Sequence, residues 1–565
     1  MRDTPEPAAH PSPRPAATVV VLRPGAHSGI EVLLLRRAAL GDQFSGAWVF
    51  PGGRLDPGDA LAHGYCTDLD DARASEQLGL AHGGLDYYIA AVRECFEEAG
   101  LLFARTRASP EQLGQWRAQL RSGERRWSEL CELGRLRLDV AQLVYFSHWI
   151  TPVGLPKRFD TRFFLGAVPE GQVAGTDGAE LVEHLWVAPA AALNQSAGTA
   201  PRLNIPVPTR STLAALARFE SVTALLAWAA EPREIMATAP RLAQARGQTR
   251  PILPDHPAYA EIGRIDPGAR GTASYELTPG NAVRLSERVV RVTANNGGLM
   301  TGPGTNSYFV GGGARNEWAL IDPGPLDEQH AAALLAAAPG PIRWLVVTHT
   351  HKDHSPAVAL LKAATRARVL GRRAEHAERQ DASFMPDQVL QHGERLELPG
   401  PCTLRAIHTP GHASNHFCFL LEEEGLLFTG DQIMQASTVV IDPPDGNMAR
   451  YIASLRALQS EPIEWLAPGH GFLMADPRRV IAQLIQHRLR REAKVLEALH
   501  ALGPATEAAL LARVYEDVPA ALHGAAARSL LAHLLKLRDE DVAAQESGHW
   551  QVRAAALPAP ADRVR

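Results

Sequence analysis

"WLVVTHTHKDHSP", residues 344 to 356, decides how the second half of this 565-residue chain is read. The apolar run from Trp344 to Val347 reads as a buried strand. It ends in four residues able to bind a metal: His349, His351, Asp353 and His354. In an extended chain alternate side chains share a face, so His349 and His351 point one way while Asp353 and His354 swing round as the next element begins. Imidazole mixed with carboxylate suits zinc, and such density is hard to excuse as surface decoration. Downstream, "HTPGHASNH" (408–416) places His412 in a Gly/Pro turn, "LLFTGDQ" (426–432) ends a strand at Asp431, and "EWLAPGHG" (464–471) offers His470 in a like turn. Each candidate stands where a strand gives way to a tight loop.

These HxHxDH, PGH, GD and PGHG signatures, in that order, resemble those of the metallo-β-lactamase fold hydrolases over roughly residues 281–480. The resemblance implies an αββα sandwich with two zinc ions, one held by His349, His351 and His412, the other by Asp353, His354 and His470, with Asp431 bridging. Two such ions lower the pKa of a shared water and stabilise the oxygen on which charge develops, and Asp353 counts among the catalytic groups as well as the ligands. Asp322, in "ALIDPG" (319–324), is expected to orient a ligand or loop without touching metal. His408 and His416 flank the PGH turn and are read as non-ligands, His416 as a support.

A second stretch, "VRECFEEAGL" (92–101), is by itself an ordinary amphipathic helix end. Glu94, Glu97 and Glu98 share one face at helical spacing, and Gly100 supplies a stop. Upstream lies "FPGGRLDPGD" (50–59). Together the two resemble the Nudix box, Gx5Ex7REUxEExGU, with Gly53, Arg93, Glu94, Glu97, Glu98 and Gly100 in place. There are two departures. Asp59 stands where the box has Glu, and Arg93 lies 34 residues beyond it, which makes a long insert read here as a surface excursion of irregular acidic chain. The interrupted box, with "VLLLRR", "VFPGG", "HWITP", "RFDTRFFL" and "ELVEHLWVAP", is similar to the coenzyme A diphosphatases over about residues 17–235. That likeness implies an α/β/α sandwich holding Mg²⁺ or Mn²⁺ on Glu94, Glu97 and Glu98, with Glu97 or Glu98 as base and Arg93 orienting the acids. Glu180 matches the place of a further acid.

Composition is globular, 45% apolar and 21% charged, and a net charge of −5 advertises neither nucleic acid nor an anionic membrane. Five scattered cysteines without CxxC spacing fit a reducing, cytoplasmic setting. Residues 1–16 read as a flexible tail, 236–280 as a Pro/Gly/Arg-rich linker, and 481–565 as a helical domain. Within the last, "HRLRREAKVLEAL" (487–499) and "AHLLKLRDEDVAAQESGHW" (532–550), like "GPGTNSYFVG" (302–311), resemble the lactamase-like endoribonucleases and their winged helix. Residues 481–550 nevertheless carry eight Lys/Arg against nine Asp/Glu, so charge does not support RNA, and a packing or dimerisation cap is the better reading.

The whole is expected to be a multidomain α/β metallohydrolase with no membrane span. The main reading is bifunctional: a Nudix reaction on a nucleoside diphosphate derivative such as coenzyme A, and dinuclear-zinc hydrolysis. One alternative keeps only the zinc half active, as endoribonuclease or thioesterase, with a nucleotide-binding Nudix half. Another is a non-catalytic scaffold.

Overall fold

The computed structural model describes residues 11–25, 29–39, 45–176, 181–197, 202–313, 315–435 and 438–553. Glu180 lies outside them. The chain forms two compact units: one runs to Leu242 and adds Thr249–Pro254 and Gly268–Gly271, and the other takes the remainder. Among the described residues no helix is long and apolar enough to cross a membrane.

In the first unit the central strand is Arg14–Pro24, parallel to Phe159–Ala167 from Arg14 on Phe159 to Leu22 on Ala167. It is flanked on its other side by the antiparallel Ile30–Arg37. Val19 to Leu22 are all fully buried because both faces of the strand are covered. Val19 and Val21 share a core with Tyr88 and Phe96 of the helix Gly84–Ala99. Val20 and Leu22 share the opposite core with Leu213, Leu216 and Leu225 of the helices Val207–Leu216 and Val222–Ala230. That is the expected α/β/α sandwich.

Two readings of this unit need correction. Pairing carries the first strand back to Arg14, inside the segment taken as a tail. The insert after Asp59 is not an irregular excursion. It folds as a 3₁₀ turn, Ala60–Tyr65, and a helix, Asp71–Leu78, whose Ala62, Ala74 and Leu78 are buried. The physical reason is an amphipathic pattern and good capping. Asp70 accepts from the Arg73 amide, Gly79 closes the helix in the left-handed region, and Asp71 in turn accepts from the amides of Gly83 and Leu85 at the start of the glutamate helix.

The second unit stacks a seven-stranded sheet on a six-stranded one. Between them lie Val289, Tyr308 and Val346 from one sheet and Leu404, Phe419 and Phe428 from the other. The outer faces are covered by Glu328–Ala337 and Val358–Thr365 on one side and by Met448–Leu458 and Pro477–Leu502 on the other, the expected αββα arrangement.

Two further corrections fall here. The 236–280 segment is ordered, with strands at Ala237–Thr238, Arg241–Ala245 and Gln248–Ile252 and a helix at Tyr259–Ile265. Its helix is anchored by Glu261, which pairs with Arg291 through two bonds of 2.6 and 2.8 Å and accepts from the Leu473 amide at 2.7 Å. The expected boundary at 480 falls inside one 26-residue helix, whose Ile481 belongs to the sandwich and whose Val495 and Leu499 belong to the final module. In keeping with the winged-helix reading, that module adds a hairpin to its helices, Ala543–Glu546 and His549–Val552 around Ser547 and Gly548, both with positive φ.

Candidate metal centre

The centre is built from loops at the ends of strands. The strand Ile342–Val346 stops before the histidines, so His349 and His351 are aimed by the loop that follows and not by strand alternation. His412 follows Cys402–His408, Asp431 follows Leu426–Gly430, and His470 follows Trp465–Pro468. The structure brings together two sets of donor atoms, each within 4.8 Å: His349, His351, His412 and Asp431, and Asp353, His354, Asp431 and His470. Asp431 belongs to both.

Hydrogen bonding fixes what the ring nitrogens present. The Thr348 hydroxyl donates its single proton to Asp322 Oδ2 at 2.8 Å, so at 3.0 Å it accepts from His349 Nδ1. His412 Nδ1 donates to the Val440 carbonyl at 2.9 Å. Both Nε2 atoms therefore carry lone pairs, and both face His351 Nδ1, from 2.9 and 3.0 Å. Lone pairs converging in this way can be met by a proton on His351 Nδ1 or by a cation between them.

The second set repeats the logic. His354 Nδ1 bonds Asp322 Oδ2 at 2.8 Å, and His470 Nδ1 bonds the Gly304 carbonyl at 3.2 Å. That leaves His354 Nε2, His470 Nε2 and Asp431 Oδ1 buried without hydrogen-bond partners. His470 Nε2 stands 3.2 Å from Asp431 Oδ1 and 3.3 Å from Asp353 Oδ2. Orphaned buried groups are costly, and these fit a divalent metal.

Proton affinities follow from the same geometry. Burial and neighbouring imidazoles hold His349 well below the usual range, and burial with His412 pushes His351 down to about 3, so these nitrogens stay free to ligate. At His470 burial opposes charge, yet Asp431 and Asp353 overcome it and raise the group to about 9. Carboxylates at this end therefore favour a positive charge, whether proton or metal.

Besides His354 and the Thr348 hydroxyl, Asp322 accepts from the Thr348 amide at 2.8 Å. His416 accepts at Nε2 from the Asp431 amide at 3.2 Å, whereas His408 turns to the Ser414 carbonyl. Gly469 must lack a side chain, since a Cβ there would lie 2.8 Å from Asp431 Oδ1. Sequence reasoning missed Thr348, for which a polar residue at a strand end is the only signal. It also missed the residues of the final module that face this centre: one cavity of about 740 Å3 is lined by His351, Asp353, His412 and Asp431 and also by Arg488, Arg491 and Arg528.

In the first unit the acids are differently placed. Arg93 is a hub, bonding Asp59 at 2.8 and 3.1 Å, Glu94 at 2.8 Å and Glu97 at 3.1 Å. Asp59, fully buried, thus anchors Arg93. Glu98 accepts from the Gly52 amide at 2.8 Å. A Cβ at Gly53 would lie 2.5 Å from the Glu94 carboxylate, so the glycine turn and the helix do meet in spite of the insert. Burial raises Glu94 to about 7. Among the described residues, Glu94, Glu97 and Glu98 do not converge as a ligand set in the way the histidines do.

Known proteins agree with this layout. Residues 80–200 match the NUDT19 Nudix domain, 300–470 the metallo-beta-lactamase superfamily, and 506–550 the beta-lactamase associated winged helix domain. An atrochrysone carboxyl ACP thioesterase of Aspergillus fumigatus is 36% identical over 251 residues, 42% of this chain and 76% of that protein. A beta-lactamase-like protein 2 homolog of Caenorhabditis elegans is 29% identical over 272 residues, 47% of this chain and 89% of its own. The crystal structure of a NUDIX hydrolase from Alicyclobacillus acidocaldarius covers 39% of this chain and 97% of that one at 29% identity and a TM-score of 0.33. The chain belongs to the metallo-β-lactamase superfamily of hydrolases, with a NUDT19-type Nudix domain preceding the lactamase fold in the sequence and an associated winged helix following it.

Proposed function

We propose that the second unit is a dinuclear zinc thioesterase that cleaves acyl thioesters of a carrier. The observation that carries the reading is the pair of donor sets sharing Asp431, with imidazole nitrogens of both sets turned inward. His349, His351 and His412 would hold one ion, Asp353, His354 and His470 the other, and Asp431 both. Bound there, two divalent ions supply acidification of a water and positive charge for the oxygen of the transition state. The protein's own part is orientation. Asp322 and Thr348 fix His354 and His349, and Val440 fixes His412. Asp353, a quarter exposed and facing the cavity, is the carboxylate placed to take the proton from water as its oxygen adds to the thioester carbonyl. The C–S bond breaks, and the thiolate leaves as the thiol by taking that proton.

Thioester is preferred over RNA because relatives carry thioesterase names and because the C-terminal module lacks a basic excess. The test is thiol release from acyl-coenzyme A and from acyl carrier protein by the zinc-loaded full chain. Hydrolysis that vanishes in Asp431→Asn supports the reading. Cleavage of single-stranded RNA with no thiol release overturns it.

A second reading has the Nudix half hydrolyse a nucleoside diphosphate derivative, coenzyme A among them, with Mg²⁺ or Mn²⁺ on Glu94, Glu97 and Glu98 and with Glu97 or Glu98 as base. The contact of the Gly52–Gly53 turn with Glu98 and Glu94 favours it, while the hold of Arg93 on Glu94 and Glu97 favours a domain that only binds nucleotide. Glu98→Gln separates them: loss of Mg²⁺-dependent phosphate chemistry with thiol release intact means two active sites.

A further inference from the structure

The cavity beside the metal centre has two kinds of wall. Leu299, Met300, Met434, Val440, Val518 and Leu522 make an apolar side. Five Lys and Arg side chains, Lys352, Arg379, Arg488, Arg491 and Arg528, also line it, against a single carboxylate, Asp442, outside the candidate metal donors. Most of these cations are spoken for. Arg379 and Arg528 share Asp442, and Arg491 pairs with Asp517 at 2.9 Å.

Arg488 is different. It is 2% exposed, its Nη2 donates to the Val439 carbonyl, its guanidinium lies 5.1 Å from the centre of the Tyr451 ring, and its Nε has no hydrogen-bond partner. Among the described residues no carboxylate pairs with it, and the same holds for Lys352, next to Asp353. A buried guanidinium without a counter-charge is expensive unless an anion arrives to meet it. Arg488 belongs to the long helix that joins the sandwich to the C-terminal module, so this wall is supplied by a segment that no local motif marks as part of the centre.

We propose that this cavity is the site of the phosphopantetheinyl arm of the substrate, with the phosphate held by Arg488 and Lys352 and the acyl chain laid on the apolar wall. The proposal rests on the thioesterase reading and narrows it: the recognised chemistry is a 4′-phosphopantetheine thioester, borne either on coenzyme A or on a carrier protein. Guanidinium and ammonium groups are the natural partners of a phosphate oxygen, and an arm with one anionic and one apolar end matches a cavity divided in the same way. The C-terminal module then contributes specificity and is more than a packing cap.

Calorimetric titration of the zinc-loaded full chain with 4′-phosphopantetheine and with pantetheine tests this without any thioester being cleaved. The expected result is at least tenfold tighter binding of the phosphorylated compound, with the preference falling below threefold in Arg488→Gln and in Lys352→Gln. Lys352 is exposed, so its variant folds even where removal of Arg488 disturbs the helix. Equal binding of both compounds by the unaltered protein overturns the proposal, and so does a preference that survives both substitutions. Displacement of 4′-phosphopantetheine by a short single-stranded RNA of higher affinity also overturns it. Comparing kcat/KM for acyl-coenzyme A with that for acyl carrier protein then identifies the bearer. A phosphate preference without hydrolysis leaves the cavity assignment standing and removes the thioesterase. Hydrolysis without a phosphate preference does the reverse.

Discussion

Asp322→Asn is the most informative change at the metal centre, because one carboxylate supports both donor sets. Oδ2 faces His354 Nδ1 and the Thr348 hydroxyl, both at 2.8 Å, while Oδ1 accepts from the Thr348 amide at 2.8 Å. Through that hydroxyl the same residue fixes His349. Its φ of 48° lies in the left-handed region, which Asn tolerates about as well as Asp, so the backbone and side-chain volume are preserved. An amide nevertheless offers only one acceptor oxygen. Whichever way it turns, an N–H group opposes an N–H group, either at the Thr348 amide or at His354 Nδ1. In the second case His354 must change tautomer, and its Nε2 then carries the proton and no longer offers a lone pair. Loss of such a supporting partner weakens metal binding by about 10- to 100-fold, or about 1.4–2.7 kcal/mol. Titrating metal-free full-length protein with zinc against a chromophoric chelator resolves the two equivalents. Both should weaken in Asp322→Asn, whereas Thr348→Val, which cuts only the branch to His349, should weaken one. Two unaltered zinc affinities in Asp322→Asn would refute the inference that this carboxylate organises the centre.

Three other expectations follow from buried charge. Arg93→Met strands the fully buried Asp59 and should destabilise the first unit by about 3–5 kcal/mol, partly relieved by protonation since burial already raises Asp59; urea unfolding of the full chain reads it, and a loss below about 1 kcal/mol counts against the hub. Glu261→Gln leaves Arg291, 2% exposed, facing a neutral amide, and a loss of about 3–5 kcal/mol in the second unit is expected in calorimetry; an unchanged transition means that the Tyr259–Ile265 helix is not fastened by this pair. Burial lowers His330 to about 4, so the unfolded chain takes up a proton first as pH falls. Its contribution is full above about pH 6.5 and is lost between there and about pH 4, at most about 3 kcal/mol, and His330→Gln should flatten this part of the metal-free stability profile.

How much of this was legible depended on where the cause of each feature lies. The zinc-type donors were readable because each sits at the end of an apolar strand, and strand, turn and ligand all fall within one short window of sequence. The sandwich of the first unit was readable for a like reason: Val19 to Leu22 form an unbroken apolar run, the mark of a strand covered on both faces. The 236–280 segment was not, because its anchor is a single glutamate whose partner, Arg291, lies 30 residues on and whose other bond goes to Leu473. Arg488 was invisible for a different reason. In sequence it is one basic residue of an amphipathic helix, and only the fold turns it inward over Tyr451. The Ser547–Gly548 turn carried a usable signal, yet it followed a helical run and was absorbed into it.

Asp59 shows that a departure from a motif can be a compensated one. Read along the chain, Asp59 is a departure from the Nudix box, which has Glu there. In the structure Asp59 grips Arg93, and Arg93 in turn donates to one oxygen each of Glu94 and Glu97, so three acids of the first unit share a cation the protein carries itself. Among the described residues no Lys or Arg pairs with the acids at the centre of the second unit, where His354 Nε2, His470 Nε2 and Asp431 Oδ1 are buried without hydrogen-bond partners and only imidazole faces Asp431 and Asp353. Since an unmatched buried polar group costs about 1–3 kcal/mol and a charged one more, the buried donors of the second unit gain from a divalent metal, whereas Glu94 and Glu97 of the first already have a partner. The same contrast ranks the two proposed activities. A site whose buried donors lack hydrogen-bond partners gains from a divalent ion, and a site whose Glu94 and Glu97 are held by Arg93 has to give up those bonds before its glutamates can serve a metal and a diphosphate.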